Sequence, residues 1–240
     1  MEAILPAVTA TLERDGRFAR WLEVEAALAN AQAALGIIPR KAAEDISAAA
    51  CVEKLDLSRY DEFYQKTGHP MVSMLRLLEM AAGPESGQYI HLGATTQDVM
   101  DTALMRAVKK MFELGRPKLL AIRDAILHLC ERYADTPMMG RTHNIQALPI
   151  TFGYKAAVWA DELQRAIDRL DQSRERVLVL QLSGAVGSMV SFGTDGDALQ
   201  ARMAEELGLG VPGICWHVAR DRFAEFSGEL ALISGCLGRI

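Results

Sequence analysis

Between Thr96 and Tyr133 the chain carries one nearly continuous helical pattern. Leu119, Ile122, Ile126, Leu129 and Tyr133 follow one another at three, four, three and four residues, the 3.5-residue period of a helix seam. A seam of that length has to be buried against other helices, so it points to a bundle of long rods and away from a sheet. Pro117, two residues after Gly115, predicts a kink or a brief break, because proline lacks the N–H that the helix ladder requires.

The rest of the chain repeats the theme. Residues 17–35 place Trp21, Val24, Leu28 and Ala31 on one face, with Gly36 as a stop and Pro39 beyond it. Further helices are expected over residues 41–52 and from Pro70 to Gly83. Thr95 and Asp98 have the spacing of a capping box, which starts the long helix at Thr95 or Thr96. Pro149 is suited to open the next helix, whose stripe of Trp159, Leu163, Ile167 and Leu170 extends towards Leu180 and stops at "SGAVGS". Residues 197–207 and 221–240 complete the series, the last of them without a cap. Half of the 240 residues are apolar but only 6% are aromatic, a balance that favours helix packed on helix. The expected fold is all-α, a long-helix bundle, and seams this long call for partners from another subunit of a homo-oligomer.

A net charge of -5 provides no general attraction for nucleic acid or an anionic membrane, so an anionic ligand must be gripped locally. The apolar runs are interrupted well before the roughly 20 residues that a bilayer demands. The N-terminus "MEAILPAVTATLERDGR" lacks the order of a secretory signal. A cytoplasmic location is expected. Cys51, Cys130, Cys215 and Cys236 stand far apart among apolar neighbours and read as buried free thiols, with no spacing for a metal site.

Histidines carry the chemistry that remains. His128, between Leu127 and Leu129, reads as structural. His69 in "KTGHPM", His91 in "YIHLGATT" and His143 in "GRTHNIQ" each stand beside a glycine or a hydroxyl just ahead of a predicted helix. There, polar groups can face a cleft and free backbone N–H groups can receive an anion. Taken singly, each is also compatible with a turn histidine satisfied locally. There is no HExxH, no G-x-S-x-G, no P-loop and no G-x-G-x-x-G, which leaves histidine acid/base chemistry on an anionic substrate. Thr95 and Thr96 offer two hydroxyls at a helix start, although Asp98 already occupies part of the positive end of that helix. The small-residue loop "LSGAVGS" is accounted for by a helix stop. In "CWHVARDRFAEF", Arg220 and Arg222 read either as a solvated pair or as an anion clamp.

Five segments, "WLEVEAALANAQAALGIIP", "HLGATTQDVMDTAL", "DTPMMGRTHNIQALPITFGYKAAVW", "QLSGAVGS" and "RDRFAEF", run in one order across almost the whole chain. Through them it resembles the fumarase/aspartase superfamily of lyases, in the branch of the adenylosuccinate lyases and 3-carboxy-cis,cis-muconate cycloisomerases. The resemblance implies an N-terminal helical domain over residues 1–97 and the first part of a central long-helix domain over residues 98–240, the chain ending inside that domain. It implies a homotetramer whose central helices form a twenty-helix bundle, with active sites assembled from three subunits. The implied reaction is an anti β-elimination beside a carboxylate that releases fumarate from a small polycarboxylate, without metal or cofactor. It implies His143 as the acid that protonates the leaving atom, with His69 beside it to share the proton. His91, Thr95, Thr96, Thr142, Gln146 and Arg220 are the implied substrate contacts.

The chain departs from the family pattern in places. The family's catalytic serine lies on a loop of the type Gly-Ser-Ser-x-Met-Pro-x-Lys, and no such string precedes Ile240, so the resemblance implies a protein about twice as long. The N-terminus has no Arg-Tyr pair of the kind adenylosuccinate lyases use for a phosphate, and Pro70 follows His69 where those enzymes tend to have aspartate. "WHVARDR" is similar to the cycloisomerases, whereas His143 and His69 stand where many bacterial cycloisomerases have tryptophan and asparagine. A lactonising cycloisomerase is therefore the alternative function, and a catalytically silent helical assembly fragment is a second one.

Overall fold

The computed structural model describes residues 4–240, which fold into ten α-helices and one two-stranded ribbon. The helices are α1 (Ile4–Leu12), α2 (Arg14–Ala34), α3 (Arg40–Ala49), α4 (Tyr60–Thr67), α5 (Pro70–Ala82), α6 (Pro84–Gly87) and α7 (Thr96–Arg132). Strands β1 (Pro137–Thr142) and β2 (Ile145–Thr151) follow, then α8 (Phe152–Val177), α9 (Gly196–Leu207) and α10 (Asp221–Leu237). The all-α, long-helix expectation holds. No helix among the described residues is long and apolar enough to cross a membrane.

Two compact units share the chain. The first unites residues 4–110 with residues 178–220. Its core interleaves Phe18, Leu22 and Leu28 of α2, Ile46 of α3, Met71, Met74 and Leu78 of α5, and Leu199 and Met203 of α9. The apolar face expected on α2 is buried as read, with Trp21, Val24, Leu28 and Ala31 all shielded from solvent. After α8 the chain turns extended: the Leu180 amide donates to the Gly210 carbonyl and the Gly210 amide to the Leu178 carbonyl. That pairing ends α8 at Val177, short of the expected Leu180.

The second unit unites residues 111–177 with 221–240. Here α7 and α10 meet through Phe112 and Phe226, whose rings stack at 5.3 Å. Leu163, Ile167 and Leu170 of α8 are buried. The helix α7 runs on through Pro117, so the expected break is absent; burial of Leu119 and Ile126 on the seam offsets the lost backbone bond. His128 is exposed and lies 3.8 Å from Glu131, on the solvent side of the helix and not in the seam. Of the four free cysteines only Cys236 is buried, and Cys51 is exposed, which corrects the expectation for the thiols.

The ribbon was the element least visible in the sequence. Pro149, expected to open a helix, sits in β2 opposite Met139, and α8 begins at Phe152 with the Tyr154 amide donating to Thr151 Oγ1 at 3.1 Å. A two-stranded ribbon tolerates the proline because each strand has an edge that bonds to no neighbour. Its turn is His143–Asn144, with φ of 47° and 63°, the two left-handed positions of a two-residue hairpin.

Candidate active site

The first unit carries most of the suspected residues, with Thr95 and Thr96 at the start of α7 and His69 at the start of α5. Thr95 precedes the helix, and its amide donates to Asp98 Oδ2 at 3.1 Å, half of a capping box. The Asp98 and Val99 amides go to the Thr95 carbonyl. Neither threonine hydroxyl therefore has a hydrogen-bond partner among the described residues, and both are partly exposed.

Asp98 turns inward. It is 1% exposed and receives the Ser183 amide at 2.9 Å on Oδ1, the Gly184 amide at 2.9 Å on Oδ2, Gln181 Nε2 at 3.3 Å and His217 Nε2 at 2.7 Å. The carboxylate is thus turned into the core and not itself exposed to a ligand, although its charge still bears on the neighbouring His91. The same bonds give the small-residue loop a task beyond ending a helix, since its backbone N–H groups hydrogen-bond a buried carboxylate. Gly184 has φ of 75°, and a Cβ there would lie 2.6 Å from Ser191 Oγ, so glycine alone fits.

Each histidine of this unit is held differently. His69 is the N-cap of α5, its Nδ1 accepting the Met71 amide at 3.2 Å and the Val72 amide at 3.4 Å. Accepting on Nδ1 puts the proton of the neutral ring on Nε2, so His69 caps a helix and presents an N–H outward. His91 has φ of 61°; its Nδ1 lies 2.6 Å from Glu25 Oε1 and its amide donates to Glu25 Oε2 at 3.1 Å. Burial works against the charged ring, but the Glu25 carboxylate outweighs it and His91 is held above its ordinary value near 6.5. Glu25 was not identified from sequence, and His217, noted beside Arg220 and Arg222, was not expected to pair with Asp98. Their partners lie 66 and 119 residues away, and only an acidic residue within a buried helical stripe could have drawn attention to Glu25.

Arg220 pairs bidentately with the buried Asp101 at 2.6 and 2.9 Å. It lines a cleft of about 310 Å³ together with Gln97, Met100 and Leu104 of α7 and Arg17, Arg20 and Trp21 of α2. His69, His91, Thr95 and Thr96 do not line that cleft. The second unit carries the other candidates: Thr142 ends β1, His143 occupies the first turn position and Gln146 lies in β2. All three are exposed.

A family model described as "Lyase" matches residues 3–240. The chain belongs to the fumarase/aspartase superfamily of lyases. Among superfamily relatives, it is 40% identical to an adenylosuccinate lyase of Methanocaldococcus jannaschii, over 98% of this chain and 51% of that protein. It is 39% identical to an N-acetyl-S-(2-succino)cysteine lyase of Enterococcus italicus, over 94% of this chain and 50% of that protein. The solved 3-carboxy-cis,cis-muconate lactonizing enzyme of Pseudomonas putida superposes with a TM-score of 0.93 at 35% identity, over 98% of this chain and 54% of that one. The chain thus spans about half the length of the superfamily members it matches.

Proposed function

We propose that this superfamily chain is part of an elimination lyase that splits a carbon–heteroatom bond beside a carboxylate and releases fumarate from a succinyl-bearing substrate. Two relatives at 39% and 40% identity carry names of lyases whose substrates bear a succinyl group, and this is the observation that carries the reading. Elimination beside a carboxylate passes through a doubly charged aci-carboxylate, which needs donors set in advance; losing one such donor typically costs about 10²- to 10³-fold in rate. The free hydroxyls of Thr95 and Thr96, at a helix start whose nearest acid is buried and hydrogen-bonded, suit that task. In this reading His91 adds a ring N–H to the same anion.

His143 protonates the leaving atom, a contribution of about 10²- to 10⁴-fold for a positioned acid, and His69, with its proton on Nε2, shares that proton. Thr142 and Gln146 hold the substrate from the ribbon. Arg220, already shared with Asp101, orders the substrate's far carboxylate. His143 and the α7 start come together in a homotetramer, with each site built from several subunits, residues 1–97 forming the N-terminal domain and residues 98–240 the start of the central one. A cytoplasmic enzyme is the setting this reading takes.

The second reading is a carboxymuconate-type cycloisomerase, favoured by the TM-score of 0.93 to the lactonizing enzyme. Ultraviolet absorbance on the whole protein separates them. Fumarate appearing from adenylosuccinate or S-succinylated cysteine derivatives supports the lyase, and consumption of 3-carboxymuconate alone supports the cycloisomerase. A stable oligomer inert towards both panels would leave only a silent assembly module.

A further inference from the structure

Glu25 lies on α2 with 1% of its side chain exposed. A carboxylate removed from water needs a counter-charge and donors for its lone pairs. Among the described residues its only partners are the amide and the ring of His91. One turn-pair further along the same helix face, Gln32 is also buried and its Nε2 donates to the Leu92 carbonyl at 2.8 Å. Two polar side chains seven residues apart therefore reach from the core side of α2 to one two-residue turn. That turn is held with His91 in the left-handed region, where a residue with a Cβ is strained, and such strain persists only when the surroundings over-determine it.

We propose that Glu25 is a positioning residue whose carboxylate accepts the Nδ1 proton of His91, so that a second proton, taken up on Nε2, gives an imidazolium whose Nε2–H meets a carboxylate of the bound substrate. The carboxylate acceptor at Nδ1 decides the tautomer, and Nε2 has no partner among the described residues. The groups that bear on the ring are Glu25 of α2, Asp98 of α7 and Glu79 of α5, all acidic, and together they hold His91 above its ordinary value against the opposing effect of burial. With Nδ1–H committed to Glu25, only the charged ring carries an N–H at Nε2 as well, and that N–H makes a charge-assisted bond to an anion. His69, capped through Nδ1, has the opposite tautomer, so the two rings take different parts. The substrate side of this assignment rests on the lyase reading; the Glu25–His91 pair itself does not.

The test is nitrogen-resolved NMR of the whole protein labelled at its five histidines, with His91 assigned from the spectrum of His91→Gln. The expected result is a neutral His91 protonated on Nδ1, a titration midpoint above 6.5, and a midpoint shifted to lower pH in Glu25→Gln. A neutral ring protonated on Nε2, read in the wild type without any mutation, would overturn the proposal. So would a midpoint that Glu25→Gln leaves in place; Glu25→Asp, which keeps the charge, should retain most of the elevation and serves if the glutamine variant does not fold. Fumarate is then added as the probe. Its binding should move the Nε2 resonance, and Glu25→Gln should weaken its Kd about tenfold, the loss of one charge-assisted bond. An Nε2 resonance that ignores fumarate in a protein that turns over would overturn the substrate contact. An intact pair in a protein with no elimination activity would instead sink the lyase reading.

Discussion

His217 Nε2 stands 2.7 Å from Asp98 Oδ1, although 119 residues separate them in the chain. The same carboxylate holds the amides of Thr95, Ser183 and Gly184, so one buried acid ties the start of α7 to two distant loops. Asp98→Asn replaces an acceptor with a donor facing donors. It should cost about 3 kcal/mol of stability, seen as a lower urea midpoint with an unchanged slope. An unaltered midpoint would refute this account of the knot.

Removing the threonine hydroxyls should separate binding from folding. Because neither has a partner among the described residues, Thr95→Val and Thr96→Val should each shift stability by no more than about 0.5 kcal/mol. In the lyase reading each should weaken fumarate binding by about tenfold or more, the worth of a bond to a charged group. Isothermal titration with fumarate measures the second quantity and thermal melting the first.

His143 offers a cleaner variant than most catalytic candidates. Asparagine tolerates φ of 47° as well as histidine does, so His143→Asn should leave the ribbon and its melting temperature intact. Turnover should fall by about 10²- to 10⁴-fold with little change in KM, since the acid acts mainly in the transition state. Near-normal turnover would remove His143 from the mechanism.

The Glu25–His91 pair also predicts a pH dependence of stability. His91 has a folded-state value above its ordinary one near 6.5, so the folded protein binds this proton more tightly than the unfolded chain. Its stabilisation is complete below the ordinary value and is lost as pH rises through the folded value. Urea unfolding of wild type and Glu25→Gln should accordingly diverge at acid pH and converge at higher pH. Curves that stay parallel throughout would exclude the pair as the source.

Most of the helices were legible because each writes its own period and stops. α5 runs from Pro70 to Ala82 with Gly83 at φ of 81°, as the Pro and Gly signals required, and α7 starts at Thr96. The ribbon was not legible. "IQALPIT" is mostly exposed on both faces, so no core selects an alternating pattern, and a proline followed by apolar residues reads equally well as a helix start.

What the sequence determined by itself was local or collective: helix periods, their caps, and the long motifs that place the chain in the fumarase/aspartase superfamily. What only the tertiary structure decided was the employment of individual polar groups. Asp98 reads as a helix-start acid and is a buried junction; Glu25 reads as one charge in an amphipathic helix and grips His91. The reason is physical. A helix period arises from bonds between residues four apart and recurs along the chain, whereas the partner of a buried carboxylate is chosen by whichever donors the packed core brings to it, and no local pattern encodes that meeting.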